Sequence, residues 1–268
     1  MRIICLLLLG CSLFGEPAQD YFDFLLAHPK THGLLGSYEK GEIEILTQPH
    51  SIEEVERIAM RRLLDKGVDI DYAKEWSRTG IIAEDQYLFW VRDAVIFPSG
   101  EKGTYDRILW KSGLESNPGV AVLPYLADYR IVLVLHYRHA TRSWELELPR
   151  GMIRAGETIR TAATRELLEE TGFRADDSLL LGTIAVDSGI FTSLVPILAC
   201  KAVQVDEIQP DYSEAISHVV TLTLKEIDQA LLKGFWDVSL EERTIRAAVR
   251  DPFLTYALFQ MKLRHWQD

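Results

Sequence analysis

The chain has 268 residues, enough for one large domain or two small ones. It is 47% apolar and so can bury a core, and its 40 acidic against 29 basic residues give a net charge of -11. That balance argues against a nucleic-acid backbone as partner. It leaves room for a small anionic substrate, because a bound divalent cation reverses the local field.

The chain opens MRIICLLLLGCSLFGEPAQ, with one positive charge, an apolar run at positions 3–9 and small residues after it. This is the plan of a secretory signal, and the run is too short for a membrane span. Residues 1–18 are therefore expected to be a signal peptide. Leu8-Leu9-Gly10-Cys11 resembles a bacterial lipobox, which would make Cys11 a lipid-anchored first residue. The expected location is exported, periplasmic or lipid-anchored. The alternative is a cytoplasmic protein whose N-terminal segment is a buried strand or helix. Only Cys200 lies in the body of the chain, within VPILACKAV, where it reads as a small buried hydrophobe.

Residues 20–80 read as helical and polar. In SIEEVERIAMRRLLDKG, Ser51 is placed to cap, Glu54 stands in capping-box position, and Gly67 ends the helix. Ile52, Val55, Ile58, Ala59 and Leu63 share its apolar face. From residue 86 the texture turns to strands. QYLFWVRDAVIF and TYDRILW flank a turn at Pro98-Ser99-Gly100, and GVAVLPYL and RIVLVLHYRH flank Ala127-Asp128-Tyr129. LLLGTIAV, SLVPILACKAVQV and HVVTLTL follow as strands, KEIDQALLKG as a helix with a glycine stop, and FLTYALFQMKLRHW as a last helix. Residues 19–115 are expected to form an extension of helices and then two strands. Residues 116–268 are expected to form the functional domain.

Within GMIRAGETIRTAATRELLEETGF, Glu166, Glu169 and Glu170 fall in one arc of a helix. Like charges three and four apart cost roughly 0.2–0.5 kcal/mol per pair, so their grouping needs a reason. Three carboxylates on one face make an oxygen-rich site suited to Mg2+ or Mn2+. Leu167 and Leu168 point away and are expected to pack on a sheet.

The spacing from Gly151 through Glu157 and Arg165-Glu166-Leu167 to Glu169-Glu170 and Gly172-Phe173 resembles the Nudix box. The resemblance implies an α+β Nudix fold, a mixed β-sheet between helices. It implies metal-dependent hydrolysis of a nucleoside diphosphate linked to another group. It also implies that Arg165 pairs with a box glutamate and holds the helix to the preceding loop, and that the carbonyl of Arg150 joins Glu166, Glu169 and Glu170 as a metal ligand. In this reading Glu169 and Arg165 serve catalysis, while Gly151, Glu157 and Gly172 shape the motif.

The segment WELELPRG, together with VRDAVIFPSG and LVLHYRHAT, is similar to the ADP-ribose and nucleotide-sugar pyrophosphatases. That likeness implies ADP-ribose as substrate, with another sugar nucleotide or a dinucleotide as the alternative. ADP-ribose pyrophosphatases usually carry a proline about fifteen residues after the box, and Val186-Asp187-Ser188-Gly189 lacks it. The likeness also implies a homodimer through the N-terminal strands, and a general base late in the chain. Glu214 is the candidate base, with Glu207 and Asp211 as rivals.

Arg138 and Arg142 are candidate substrate contacts, because a guanidinium fork fits phosphate oxygens, and Glu147 is a third candidate. Arg142 reads equally well as decoration of a strand end. Trp90, Trp110 and Phe97 could stack a base, although core packing is the commoner fate of such residues. His136 and His139 make a poor zinc pair, because strand alternation sends them to opposite faces. A different class of protein, a Nudix-like module that senses a nucleotide without cleaving it, usually loses box glutamates, and all are present here.

Overall fold

The computed structural model describes residues 17–29, 35–114, 117–205 and 215–266. The lipobox and the candidate bases Glu207, Asp211 and Glu214 lie outside them. The chain divides into two compact units, Met1–Lys111 with Gly189–Thr192, and Ser112–Ser188 with Ser193–Asp268.

The first unit contains helices α1 (Pro17–Ala27), α2 (Pro49–Asp65) and α3 (Ile70–Ser77). Its strands are β1 (Glu44–Ile45), β2 (Gly80–Glu84), β3 (Leu88–Ile96) and β4 (Lys102–Trp110). β3 pairs along its whole length with β4 around the expected Pro98-Ser99-Gly100 turn, and β1 and β2 share its other edge. Helix α2 starts earlier than its sequence suggests. Gln48 is the N-cap and makes no side-chain cap bond, and Pro49 takes the first turn, where its missing N–H costs nothing. Ser51 lies inside the helix, and Glu54 pairs with Lys102 at 2.5 Å instead of closing a capping box. Ile52 and Val55 bury against Ala94, as the apolar face requires. Tyr21 of α1 donates to Asp93, which also receives Arg107 at 2.5 Å, and burial pushes the Asp93 carboxyl up. β1 interrupts a stretch that reads as helical and β2 follows directly after it, since strands this short carry little periodicity.

The second unit is built on a mixed nine-stranded sheet. Its strands are β5 (Gly119–Tyr125), β6 (Ile131–Arg138), β7 (Ser143–Glu147), β8 (Arg150–Met152), β10 (Leu179–Ala185), β11 (Leu194–Lys201), β13 (Ile216–Leu222), β14 (Phe235–Ser239) and β15 (Thr244–Ala248). The short strands β9 (Phe173–Arg174) and β12 (Val203–Gln204) pair with each other. Helices α4 (Ile159–Thr171), α5 (Leu224–Lys233) and α6 (Pro252–Leu263) complete the unit.

Alternation along the central strands sorts two cores. Val120, Val122, Val132, Leu198 and Cys200 pack with Ala162, Ala163 and Leu167 of α4. Ala121, Leu123, Leu133, Ile197 and Ala199 pack with Phe253, Leu254, Ala257 and Met261 of α6. The sheet therefore lies between helices, in the mixed α+β arrangement expected. Leu168 departs from expectation, because it is exposed while Leu167 carries the packing of α4. Burial pushes the Cys200 thiol up to about 12, so it behaves as an apolar side chain. The β14–β15 hairpin is not evident in the sequence. Its outward pair Asp237 and Arg246, 2.8 Å apart, breaks up the apolar signal that Val238, Ile245 and Ala247 provide from the buried face. Leu133→Ala on the central strand β6 should cost about 2–5 kcal/mol of unfolding free energy, read by chemical denaturation of the second unit.

Candidate active site

The site grows from the junction between β7, β8 and α4. Thr158 caps α4 by accepting from the Thr161 amide at 3.1 Å. Gly172 ends the helix at φ +70°, donating to the Leu168 carbonyl at 2.9 Å. Gly151 is required by space, because a Cβ there would stand 2.2 Å from the Glu166 carboxyl carbon. Gly156 is required by conformation, with φ +82° in the turn before the helix.

Arg165 supplies the reason for the crowded carboxylates. Its Nε donates to Glu157 at 2.7 Å and its Nη2 to the same carboxylate at 2.9 Å. Nη1 donates to Glu166 at 2.7 Å and to Glu169 at 3.0 Å, and Nη2 also reaches the Met152 carbonyl at 2.9 Å. One guanidinium thus ties the helix to the loop before it and offsets the repulsion among its acids. Hydrogen bonding from Arg165, with a further bond from the Arg154 amide, draws the Glu157 carboxyl down to about 2. Arg165 itself is held above its ordinary value, first by Glu157.

Glu166 is 5% exposed and Glu170 1%, whereas the Glu169 side chain is 34% exposed. Glu170 accepts the Arg150 amide at 2.9 Å. It thereby joins α4 to the residue whose carbonyl completes the expected ligand set. These donors are all oxygens, as Mg2+ and Mn2+ prefer. Among the described residues no three acids stand converged at metal-holding spacing. The box carboxylates are instead turned to Arg165 and to the Arg150 amide, so ion binding would exchange some of these contacts.

Beside this cluster lies a second, buried charge network. Glu147, 2% exposed, receives Arg138 Nε at 2.5 Å and Arg150 Nη2. Burial pushes its carboxyl up against the pull of the two arginines. Glu147 is thus an internal anchor for Arg138, which is itself half-buried beside it. Arg150 Nη1 also reaches Asp251 at 3.1 Å. His136 Nδ1 lies 3.6 Å from Glu147 and has no hydrogen-bond partner among the described residues. Burial, then Arg138 and Arg150, lower the His136 ring to about 4, so it is neutral near pH 7.

Arg142 does not join this network. It is exposed at φ +54°, 2.8 Å from His139 Nδ1. His136 is buried on β6, whereas His139 falls in the turn after that strand and is exposed, so the two do not form a pair. Trp90, Trp110 and Phe97 belong to the first unit, where Phe97 packs over Gly103. Sequence reasoning missed Asp251. The available signal was an acid directly before Pro252, the signature of a helix N-cap followed by proline at N1.

Residues 115–240 match the NUDIX domain. The chain is 28% identical over 123 residues to ADP compounds hydrolase NudE of Escherichia coli, a match covering 46% of this chain and 63% of that protein. It is 26% identical over 154 residues to mouse ADP-sugar pyrophosphatase, covering 55% and 60% of the two chains. It is 27% identical over 118 residues to ADP-ribose pyrophosphatase of Bacillus subtilis, covering 43% and 64%. The matched part therefore spans about three fifths of these relatives. The crystal structure of an ADP compounds hydrolase superposes with a TM-score of 0.51 at 22% identity, over 70% of this chain and 91% of that one, a likeness of fold. Residues 115–240 of the chain thus carry a NUDIX domain, and the chain is similar to the ADP-ribose and ADP-sugar pyrophosphatases.

Two outcomes follow from the site geometry. Gly151→Ala should displace the Glu166 carboxylate and cut any metal-dependent turnover about tenfold or more, with melting temperature as the control for folding. The depressed Glu157 carboxyl favours the folded state fully above its unfolded value near 4.5, and that contribution is lost as pH falls toward about 2. Unfolding of the parent and of Glu157→Gln should therefore differ most near neutral pH and converge in acid. A difference independent of pH would contradict the pairing.

Proposed function

We propose that the protein is a Mg2+- or Mn2+-dependent pyrophosphatase for nucleoside diphosphates linked to another group, with ADP-ribose hydrolysed to AMP and ribose 5-phosphate. The observation that carries this reading is the intact carboxylate face of α4, held by Arg165 against the Gly151 backbone. The names of the three relatives support the ADP-linked class. The missing proline at 186–189 keeps other sugar nucleotides as the alternative substrates.

Glu166, Glu169, Glu170 and the Arg150 carbonyl would hold the ion. When bound, it would neutralise the diphosphate and lower the pKa of a nearby water. Arg138, half-buried and oriented by Glu147, offers its remaining donors to a phosphate oxygen. Glu214 takes the proton of the attacking water, with Glu207 and Asp211 as its rivals. The water oxygen bonds to phosphorus, the bridging P–O bond breaks, and the leaving phosphate carries the electron pair. Positioning and charge carry most of such a reaction.

We also propose that residues 1–18 direct export, with Cys11 as the site of any lipid anchor. Mass spectrometry of native protein should then show a new N-terminus between residues 11 and 18, and an intact Met1 in a cytosolic fraction would exclude export. The aromatic-rich β3 and β4 support a homodimer, and a monomer mass with activity retained would remove it.

A screen of ADP-ribose against other nucleotide sugars tests the substrate, with ADP-ribose expected to give the highest kcat/KM. Glu170→Gln should lower turnover about a hundredfold or more, the scale of losing several kcal/mol of charge stabilisation. Binding of ADP-ribose by the parent without any cleavage would instead indicate a nucleotide-sensing module.

A further inference from the structure

Asp251 precedes α6 and lies beyond the NUDIX-matched segment, yet its carboxylate reaches into the site. It is 5% exposed. It caps α6 by accepting the Phe253 amide at 3.1 Å. It also accepts the Leu148 amide at 2.9 Å and Arg150 Nη1 at 3.1 Å. A cap alone would need only the first contact. The other two fall on the turn between β7 and β8.

That turn is gripped at every residue. The Pro149 carbonyl accepts the Val122 amide at 3.0 Å, and the Arg150 amide donates to Glu170 at 2.9 Å. The Arg150 side chain also reaches Glu147, and its guanidinium lies 4.9 Å from the Phe253 ring centre. Asp251 therefore holds the turn at two points, the Leu148 amide and the Arg150 side chain, on either side of Pro149. Its charge is matched by the Arg150 guanidinium and by the N-terminal end of α6.

We propose that Asp251 is a positioning residue for the ion site, fixing through Leu148 and Arg150 the backbone whose Arg150 carbonyl would face the cation. This rests on the metal-dependent reading above. Partners that orient metal ligands typically matter about 10–100-fold in affinity or activity. The C-terminal helix is then part of the active site's support as well as of the core.

The test measures Mn2+ binding to substrate-free protein by the electron paramagnetic resonance signal of free Mn2+, beside turnover. Asp251→Asn removes the charge that Arg150 answers. Arg150→Met removes the partner and leaves the α6 cap. Thr223→Ala, which deletes the capping box of α5, is the control for fold damage alone. Asp251→Asn and Arg150→Met should each weaken Mn2+ binding about tenfold or more, and the double variant should be no worse than the weaker single, because both break one linkage. Thr223→Ala should lower the melting temperature while binding Mn2+ as the parent does.

Mn2+ affinity within twofold of the control, or fully additive losses, would overturn the inference, as would a parent that binds no Mn2+. If Asp251→Asn does not fold, Arg150→Met against the control decides the matter by itself. A parent that binds Mn2+ but cleaves no nucleoside diphosphate would defeat the functional reading, and the binding comparison would still judge Asp251.

Discussion

The site depends on one guanidinium. Arg165 is bonded to Glu157, Glu166 and Glu169 and to the Met152 carbonyl, and without it the acids of α4 would repel one another. Its position one turn before Glu169 and eight residues after Glu157 lets a single planar fork reach both the helix and the loop. Helix, loop and β8 are consequently held as one piece, and the carboxylate face is presented at a fixed distance from the Gly151 backbone. The stability of α4 and the chemistry proposed for it share this cause.

A second constraint is burial. Glu147 and Asp251 are nearly inaccessible, and burial raises both carboxyls while the arginines draw them down. Breaking either pair would strand a charge away from water, a larger loss than the pair's net contribution. A satisfied buried network rigidifies its surroundings, which suits the positioning proposed for this site. It also explains how α6, which packs one face of the sheet through Phe253 and Leu254, bears on the turn between β7 and β8.

The Nudix box was legible because its chemistry is local: Arg165, Glu166, Glu169 and Glu170 stand at helical spacing, and Gly151 and Glu157 lie in the strand and loop just before the helix. Strands β5 and β6 were legible from continuous apolar runs ended by turn residues. The role of Asp251 was not, because its partner Leu148 lies 103 residues away and nothing in the local pattern names it. The burial of Glu147 was not legible either, because a carboxylate two residues before Pro149 gives no hint of its depth. The start of α2 was misplaced because two signals compete there, Ser51 with Glu54 and Pro49 with its fixed φ, and proline prevailed. The β14–β15 hairpin was hidden by charges on its outward face.

The requirement proposed for the reaction is an ion held by the carboxylates of α4. It is tested most directly by following AMP and ribose 5-phosphate released from ADP-ribose by protein stripped with a chelator and then resupplied with Mg2+ or Mn2+. Equimolar products should form, stop on stripping and return with the ion. Release that continues undiminished without the ion, or that never appears with it, would contradict it.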